Sequence, residues 1–136
     1  WNRLLLCTMS AADAHKTMIM CMFGGLGLII GQDGGYVSPS TLEKLIPILR
    51  ENYNDNPYHN FSHVVDVTHC VFRLIKLIDD SVYFSPLDKL CLMFSALHHD
   101  LQHPGVSNQF LINTRHNLAT TYNDLRCDCS LNTCCS

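Results

Sequence analysis

Residues 85–105 read SPLDKLCLMFSALHHDLQHPG, and the order of chemical types along this stretch decides the fold. Ser85 followed by Pro86 sets a capping hydroxyl ahead of a proline at the first helical position, where the missing N–H is not needed. Leu90, Leu92, Met93, Phe94 and Leu97 then make the helix apolar nearly all round, which predicts a helix buried in the middle of a domain. His99 and Asp100 emerge from that core at its C-terminal end, and a polar pair so placed needs a partner. His103 and Pro104-Gly105 follow within one turn.

Working outward, the same punctuation recurs. Asn56-Pro57 reads as cap and proline of a preceding helix, with Val67, Cys70, Val71, Leu74 and Ile78 on one face and His63 on that face too. Asp79-Asp80-Ser81 breaks it. Ser38-Pro39 opens a helix through Leu42, Leu45, Ile46 and Leu49, in which Pro47 removes a hydrogen bond at a cost of about 3 kcal/mol and predicts a kink or an early end. Ser10-Ala11-Ala12-Asp13 resembles a capping box and starts an apolar helix ending at Gly24-Gly25. Gly31 to Gly35 form a turn. Beyond Pro104-Gly105, residues 108–113 and 117–123 supply short helices. With almost no strand signal, the expected fold is an all-α, multi-helix bundle, an incomplete fragment of a larger helical domain.

Composition bounds the rest. A chain of 136 residues with 47% apolar content supports one modest core. A formal net charge of −3 leaves no basic footprint, so no nucleic-acid partner is expected. The apolar run at 18–30 contains three glycines and falls short of the roughly 20 residues of a membrane span. It also lacks a basic leader, and an intracellular, cytoplasmic protein without membrane attachment is expected. Trp1 in place of methionine reads as a fragment. Of the eight cysteines, Cys7, Cys21, Cys70 and Cys91 sit in apolar segments and read as small buried hydrophobes. Cys127, Cys129, Cys134 and Cys135 crowd the end with a spacing unlike that of zinc sites, and 125–136 reads as an unstructured tail.

Six of the eight histidines fall between positions 59 and 103. Residues four apart on a helix share a face, so His59 and His63 would look into one pocket. His99 with Asp100 adds an imidazole and a carboxylate, and His103 follows. Such groups converging would hold a divalent metal whose bound water is acidified, leaving a spare histidine to protonate a leaving group. This is a hydrolase layout. His15, His69, His98 and His116 read instead as hydrogen-bonded structural residues.

At these residues the chain resembles the class I cyclic nucleotide phosphodiesterases, members of the HD-type metal phosphohydrolases. NPYHNFSHVVDV is similar to that family's YHN-x-x-HA-x-DV segment, and HHDLQHPGVSNQFLIN to its HD-x-x-HPG-x-x-N segment, with FGGLGLI upstream and NLATTYND downstream continuing the likeness. The resemblance covers 20–124, giving a partial catalytic domain between a helical lead-in at 1–19 and the tail. It implies hydrolysis of a small cyclic nucleotide, cAMP or cGMP, to the nucleoside 5′-monophosphate by in-line attack of a hydroxide held between two divalent ions, Zn2+ and Mg2+ (or Mn2+). His59 would be the general acid to the departing ribose 3′ oxygen. His63, His99 and Asp100 would be metal ligands, Asp100 bridging both ions. His103 would orient metal-bound water, and Tyr58 and Asn108 would lie near the pocket.

Departures accompany the matches. Gln102 stands where the family usually has Asp or Glu, removing a charge beside the ligands, and Val64 replaces the usual alanine. The family's further metal-binding Asp, its Glu-Asn-His-His segment and its glutamine and aromatic base clamp have no counterpart up to Ser136. Two alternatives therefore stand beside a phosphodiesterase: a catalytically inactive remnant acting through contacts with another chain, for which no turnover is expected, and an HD-type phosphohydrolase of another nucleotide, which the YHN and HPG segments disfavour.

Overall fold

The computed structural model describes residues 9–31, 35–78 and 80–121, and the fold is all-α as expected. Among the described residues seven helices follow in order: α1 (Ala11–Gly25), α2 (Pro39–Glu51), α3 (Phe61–Leu77), α4 (Asp80–Tyr83), α5 (Pro86–His98), α6 (Asn108–Asn113) and α7 (Asn117–Thr121). Trp1, Cys7, the four tail cysteines and the last residues of the helix expected at 117–123 lie outside the described residues.

Local chemistry starts each long helix. The side chains of Ser10, Ser38 and Ser85 each accept the N–H three residues on, and at Ser85 the Asp88 carboxylate reciprocates with the cap's own N–H. That complete box satisfies two donors the helix would otherwise leave open. Two expectations about helix course are corrected. Of the kink or early end expected at Pro47, the early end does not occur, for α2 continues to Glu51, its Ile46 and Leu49 being anchored in the core on either side of the proline. And α3 starts at Phe61, not at Asn56-Pro57: Asn60 is the cap, its side chain accepting the N–H of His63. His59 thus precedes the helix.

The core is one cluster. Ile19, Met22 and Phe23 of α1 meet Leu42, Ile46 and Leu49 of α2, while Phe61, Val64, Val65 and Ile75 of α3 meet Met93 and Leu97 of α5. Each such side chain, removed from water, contributes about 1.5–3 kcal/mol. α3 packs most extensively against α5, and α1 against both α3 and α2. A satellite cluster under α6 and α7 centres on Leu111 and Ala119.

Which face is buried differs from expectation in three places. The core face of α3 runs Phe61, Val64, Val65, Thr68 and Ile75, while Cys70 is exposed and Leu74 and Ile78 stand 58% and 41% open. Thr68, fully enclosed, turns its hydroxyl back to the Val64 carbonyl at 2.7 Å. α5 is buried on one face only, through Lys89, Met93, Ala96 and Leu97, with Leu87 and Leu92 on its open side. Cys21, Cys70 and Cys91 are free thiols on the exposed sides of their helices, not core residues.

Two irregular segments, 52–60 and 99–105, lie against each other where α2 runs toward α3 and α5 toward α6. Tyr53 donates its hydroxyl to the Leu97 carbonyl at 2.8 Å, the Gln102 N–H reaches the Asn52 carbonyl at 3.3 Å, and Asn54 and Asn56 both donate to the His103 carbonyl, at 2.9 and 2.8 Å. Asn60 ties the first segment to itself through the Asn56 carbonyl at 2.9 Å. Gly105 completes the contact: its φ of +76° is left-handed and a Cβ there would run into the Asn56 side-chain amide.

Two measurements check this stitching. Gly31 also has a left-handed φ, +104°, but faces open space, so Gly31→Ala tests backbone strain alone. Gly105→Ala adds displacement of Asn56 and should lower stability by at least about 1–3 kcal/mol in denaturant unfolding, more than Gly31→Ala does. The second measurement concerns Tyr53, whose phenol is pushed up to about 12, chiefly by burial, with contact to the Asp100 backbone opposing the shift and the Asp100 charge adding to it. Because the folded state holds this proton more tightly than the unfolded chain, the contribution is complete below about pH 10 and disappears as pH rises toward 12. A loss of about 2–3 kcal/mol over that window is expected in the native chain and should be absent from Tyr53→Phe.

Candidate metal centre

The stitched segments converge three donor side chains. His63 is in the first turn of α3, His99 is the C-terminal cap of α5, and Asp100 follows it. One ligand atom from each lies within 4.8 Å of the others. Asp100 Oδ2 stands 3.1 Å from His99 Nε2 and 3.5 Å from His63 Nε2, with the carboxylate 13% exposed.

Hydrogen bonding fixes what these atoms present. His99 Nδ1 is 2.9 Å from the Ala96 carbonyl, which only accepts, so in the neutral ring Nδ1 carries the hydrogen and Nε2 turns its lone pair toward Asp100. A lone pair and a carboxylate oxygen facing each other repel unless a cation lies between them. Asp100 Oδ2 is buried and accepts no hydrogen bond. Leaving a carboxylate oxygen so placed costs several kcal/mol. Two imidazoles and a carboxylate are also the mixture that divalent metals take up, so the residues present fit a metal.

A second trio shares Asp100. His59 and His103 each bring a ring nitrogen within 4.8 Å of it and of each other. Their rings stack at 3.8 Å and 19°. His103 Nδ1 accepts the Gly105 N–H at 3.0 Å, while the His59 carbonyl receives the Asn56 amide at 3.2 Å. The expectation that His59 and His63 share a helix face is therefore replaced by another route to the same proximity. The segment before α3 bends so that the two rings meet edge to face at 5.9 Å.

Of the other residues singled out from sequence, Tyr58 sets its ring against both trios, 4.9 Å from that of His59. Tyr58 is 63% exposed and its ring lies 4.4 Å from that of His63. Asn108, part-buried, is the first residue of α6. Gln102 adopts a left-handed φ of 59° with its side chain exposed, so the position of the missing carboxylate faces water. Of the histidines expected to be structural, His98 sits on the Phe94 carbonyl at 2.7 Å and His116 accepts the Leu118 N–H at 3.2 Å. His69 stacks near Phe72, and His15 alone has a buried ring nitrogen without a partner. Sequence reading missed Asn54 and Asn56 as the residues that join the two motifs. No local signal reveals them, since Asn-Pro marks a helix start just as well.

Residues 58–128 match the family profile described as 3′5′-cyclic nucleotide phosphodiesterase. A mouse high affinity cGMP-specific 3′,5′-cyclic phosphodiesterase 9A is 39% identical over 111 residues, covering 79% of this chain and 20% of the mouse protein. A Drosophila melanogaster 3′,5′-cyclic-AMP phosphodiesterase, isoform F, is 38% identical over 89 residues, 65% of this chain and 13% of that one. The phosphodiesterase domain of the RhoPDE fusion protein from the choanoflagellate Salpingoeca rosetta superposes with a TM-score of 0.76 at 31% identity, over 89% of this chain and 37% of that domain. The chain spans about a fifth of the length of the first of these relatives. With its two histidine motifs inside the matched region, the chain belongs to the 3′5′-cyclic nucleotide phosphodiesterase family.

Proposed function

We propose that this chain forms part of the active site of a phosphodiesterase that hydrolyses 3′,5′-cyclic nucleotides, cAMP or cGMP, to nucleoside 5′-monophosphates. The observation that carries the reading is Asp100 Oδ2, buried against two ring nitrogens and accepting no hydrogen bond. His63, His99 and Asp100 would hold one divalent ion, with zinc suited to the two nitrogens, and Asp100 would reach toward a second, magnesium or manganese. Bound there, such ions neutralise phosphate charge and acidify water.

The chain's own residues do the remaining work. His59 is the proton donor to the ribose 3′ oxygen as it departs. It is outside the metal trio of His63, His99 and Asp100, and stacking on His103 restricts its ring. His103, locked by Gly105, orients water beside it, and Tyr58 and Asn108 border the substrate's approach. The free thiols at Cys21, Cys70 and Cys91 support a reducing, cytoplasmic setting. No helix among the described residues is long and apolar enough to cross a membrane.

Two variants test these roles in the protein that carries this chain. His99→Ala should strip the metal, read by elemental analysis, and reduce cyclic nucleotide hydrolysis to background. His59→Gln should keep the metal and lower kcat by about 10²–10⁴-fold, the range typical of a lost general acid. Metal retained in His99→Ala, or an unchanged kcat in His59→Gln, would overturn the assignment of that residue. A protein that binds metal through these residues yet turns over neither cAMP nor cGMP would instead be the non-catalytic remnant.

A further inference from the structure

A second concave site lies between the start of α1, the end of α2 and the first turn of α3. It is lined by His15, Arg50, Tyr53, Asn54, Asp55, Asn60, Phe61 and Ser62, and has a volume of about 230 Å³. That is below the roughly 300–1,000 Å³ of pockets that enclose drug-sized ligands and many times the space one water needs, so a small ion fits there together with water of its hydration shell.

Its polar atoms show a shared deficiency. Arg50 Nη1 and His15 Nδ1 are both buried and neither has a hydrogen-bond partner. Among the described residues no carboxylate pairs with Arg50 within 4.0 Å, and its guanidinium rests over the Phe61 ring at 5.9 Å. A guanidinium N–H enclosed without an acceptor is expensive by about 1–3 kcal/mol or more. Helix α3 adds its own unsatisfied donors. Asn60 caps the N–H of His63, while the N–H groups of Phe61 and Ser62, the first two helical residues, have no partner within a helix. Asp55, exposed on the same lining, is the one carboxylate there and opposes an anion from the solvent side.

We propose that this pocket binds a small oxyanion of the phosphate class, separately from the metal centre. The anion accepts from Arg50 in the forked geometry that guanidinium presents to phosphate, and from the first turn of α3. Asn60 connects the two sites, since its side chain holds both the His63 N–H and the Asn56 carbonyl. Occupancy therefore stiffens the turn that carries His63.

The test uses the metal-free chain in chelator, titrated with inorganic phosphate at constant ionic strength set by chloride. Thermal stabilisation should saturate with phosphate, and the amide resonances of Phe61 and Ser62 should move with the same midpoint. Arg50→Gln should weaken phosphate binding at least tenfold, Arg50→Lys less, and His99→Ala should leave it unchanged. Should Arg50→Gln fail to fold, Arg50→Lys and the amide shifts in the native chain decide the matter. Equal stabilisation by chloride alone, phosphate binding undiminished in both Arg50 variants, or loss of binding in His99→Ala would overturn the proposal. Tighter binding of N-acetylglutamate than of phosphate would also overturn it, marking the pocket as a seat for a protein carboxylate.

Discussion

Two side-chain amides donating to one backbone carbonyl, Asn54 and Asn56 to His103, are the junction on which the site depends. A carbonyl has two lone pairs, so it takes both bonds without rivalry. Each bond contributes only about 1 kcal/mol net. The pairs are 49 and 47 residues apart in the chain, and closing a loop of that length costs roughly 3 kcal/mol. The amides alone could not hold the segments together. Packing of α3 on α5 meets the closure cost, because Val64, Val65, Met93 and Leu97 are buried on those two helices. What remains for the asparagines is selection among nearby registers, and that selection brings His63 to Asp100.

Features written within three or four residues were legible in the sequence. Ser10, Ser38 and Ser85 cap helices because the hydroxyl and the N–H it satisfies are neighbours in the chain. Asn56 misled for the complementary reason: an asparagine before a proline looks the same whether its amide turns to its own helix or crosses to a carbonyl 47 residues away. The buried face of α3 was similarly undetermined. Val67, Leu74 and Ile78 have helical spacing as good as that of Phe61, Val64 and Thr68, and only the position of α1 and α5 chooses between the two arcs. α5 illustrates the limit of composition, since apolar residues all round do not say which side a neighbour will cover.

The site divides along the same line. The family resemblance implied His63, His99 and Asp100 as metal ligands, and their residue types suit that reading, since a divalent ion prefers imidazole and carboxylate. Their convergence could not be deduced from spacing, and the expected route through a shared helix face for His59 and His63 was mistaken even though the rings do meet. Where sequence pattern and tertiary contact compete, contact decides geometry and pattern decides chemistry. Gln102 shows both at once, a departure visible in the sequence whose outward placement becomes apparent only in the fold.

Asp100 carries one more consequence. An ion held at its buried oxygen, as proposed, would bind the folded chain and find no comparable set of donors in the unfolded one, where His63 and His99 drift apart. By mass action, free metal at a hundred times its Kd adds about 2.7 kcal/mol to stability, and at a thousand times about 4.1. Against the roughly 5–15 kcal/mol that holds a domain together, that is a large share. With such a site, the concentration of available metal around this protein would be a variable of its lifetime as a folded molecule.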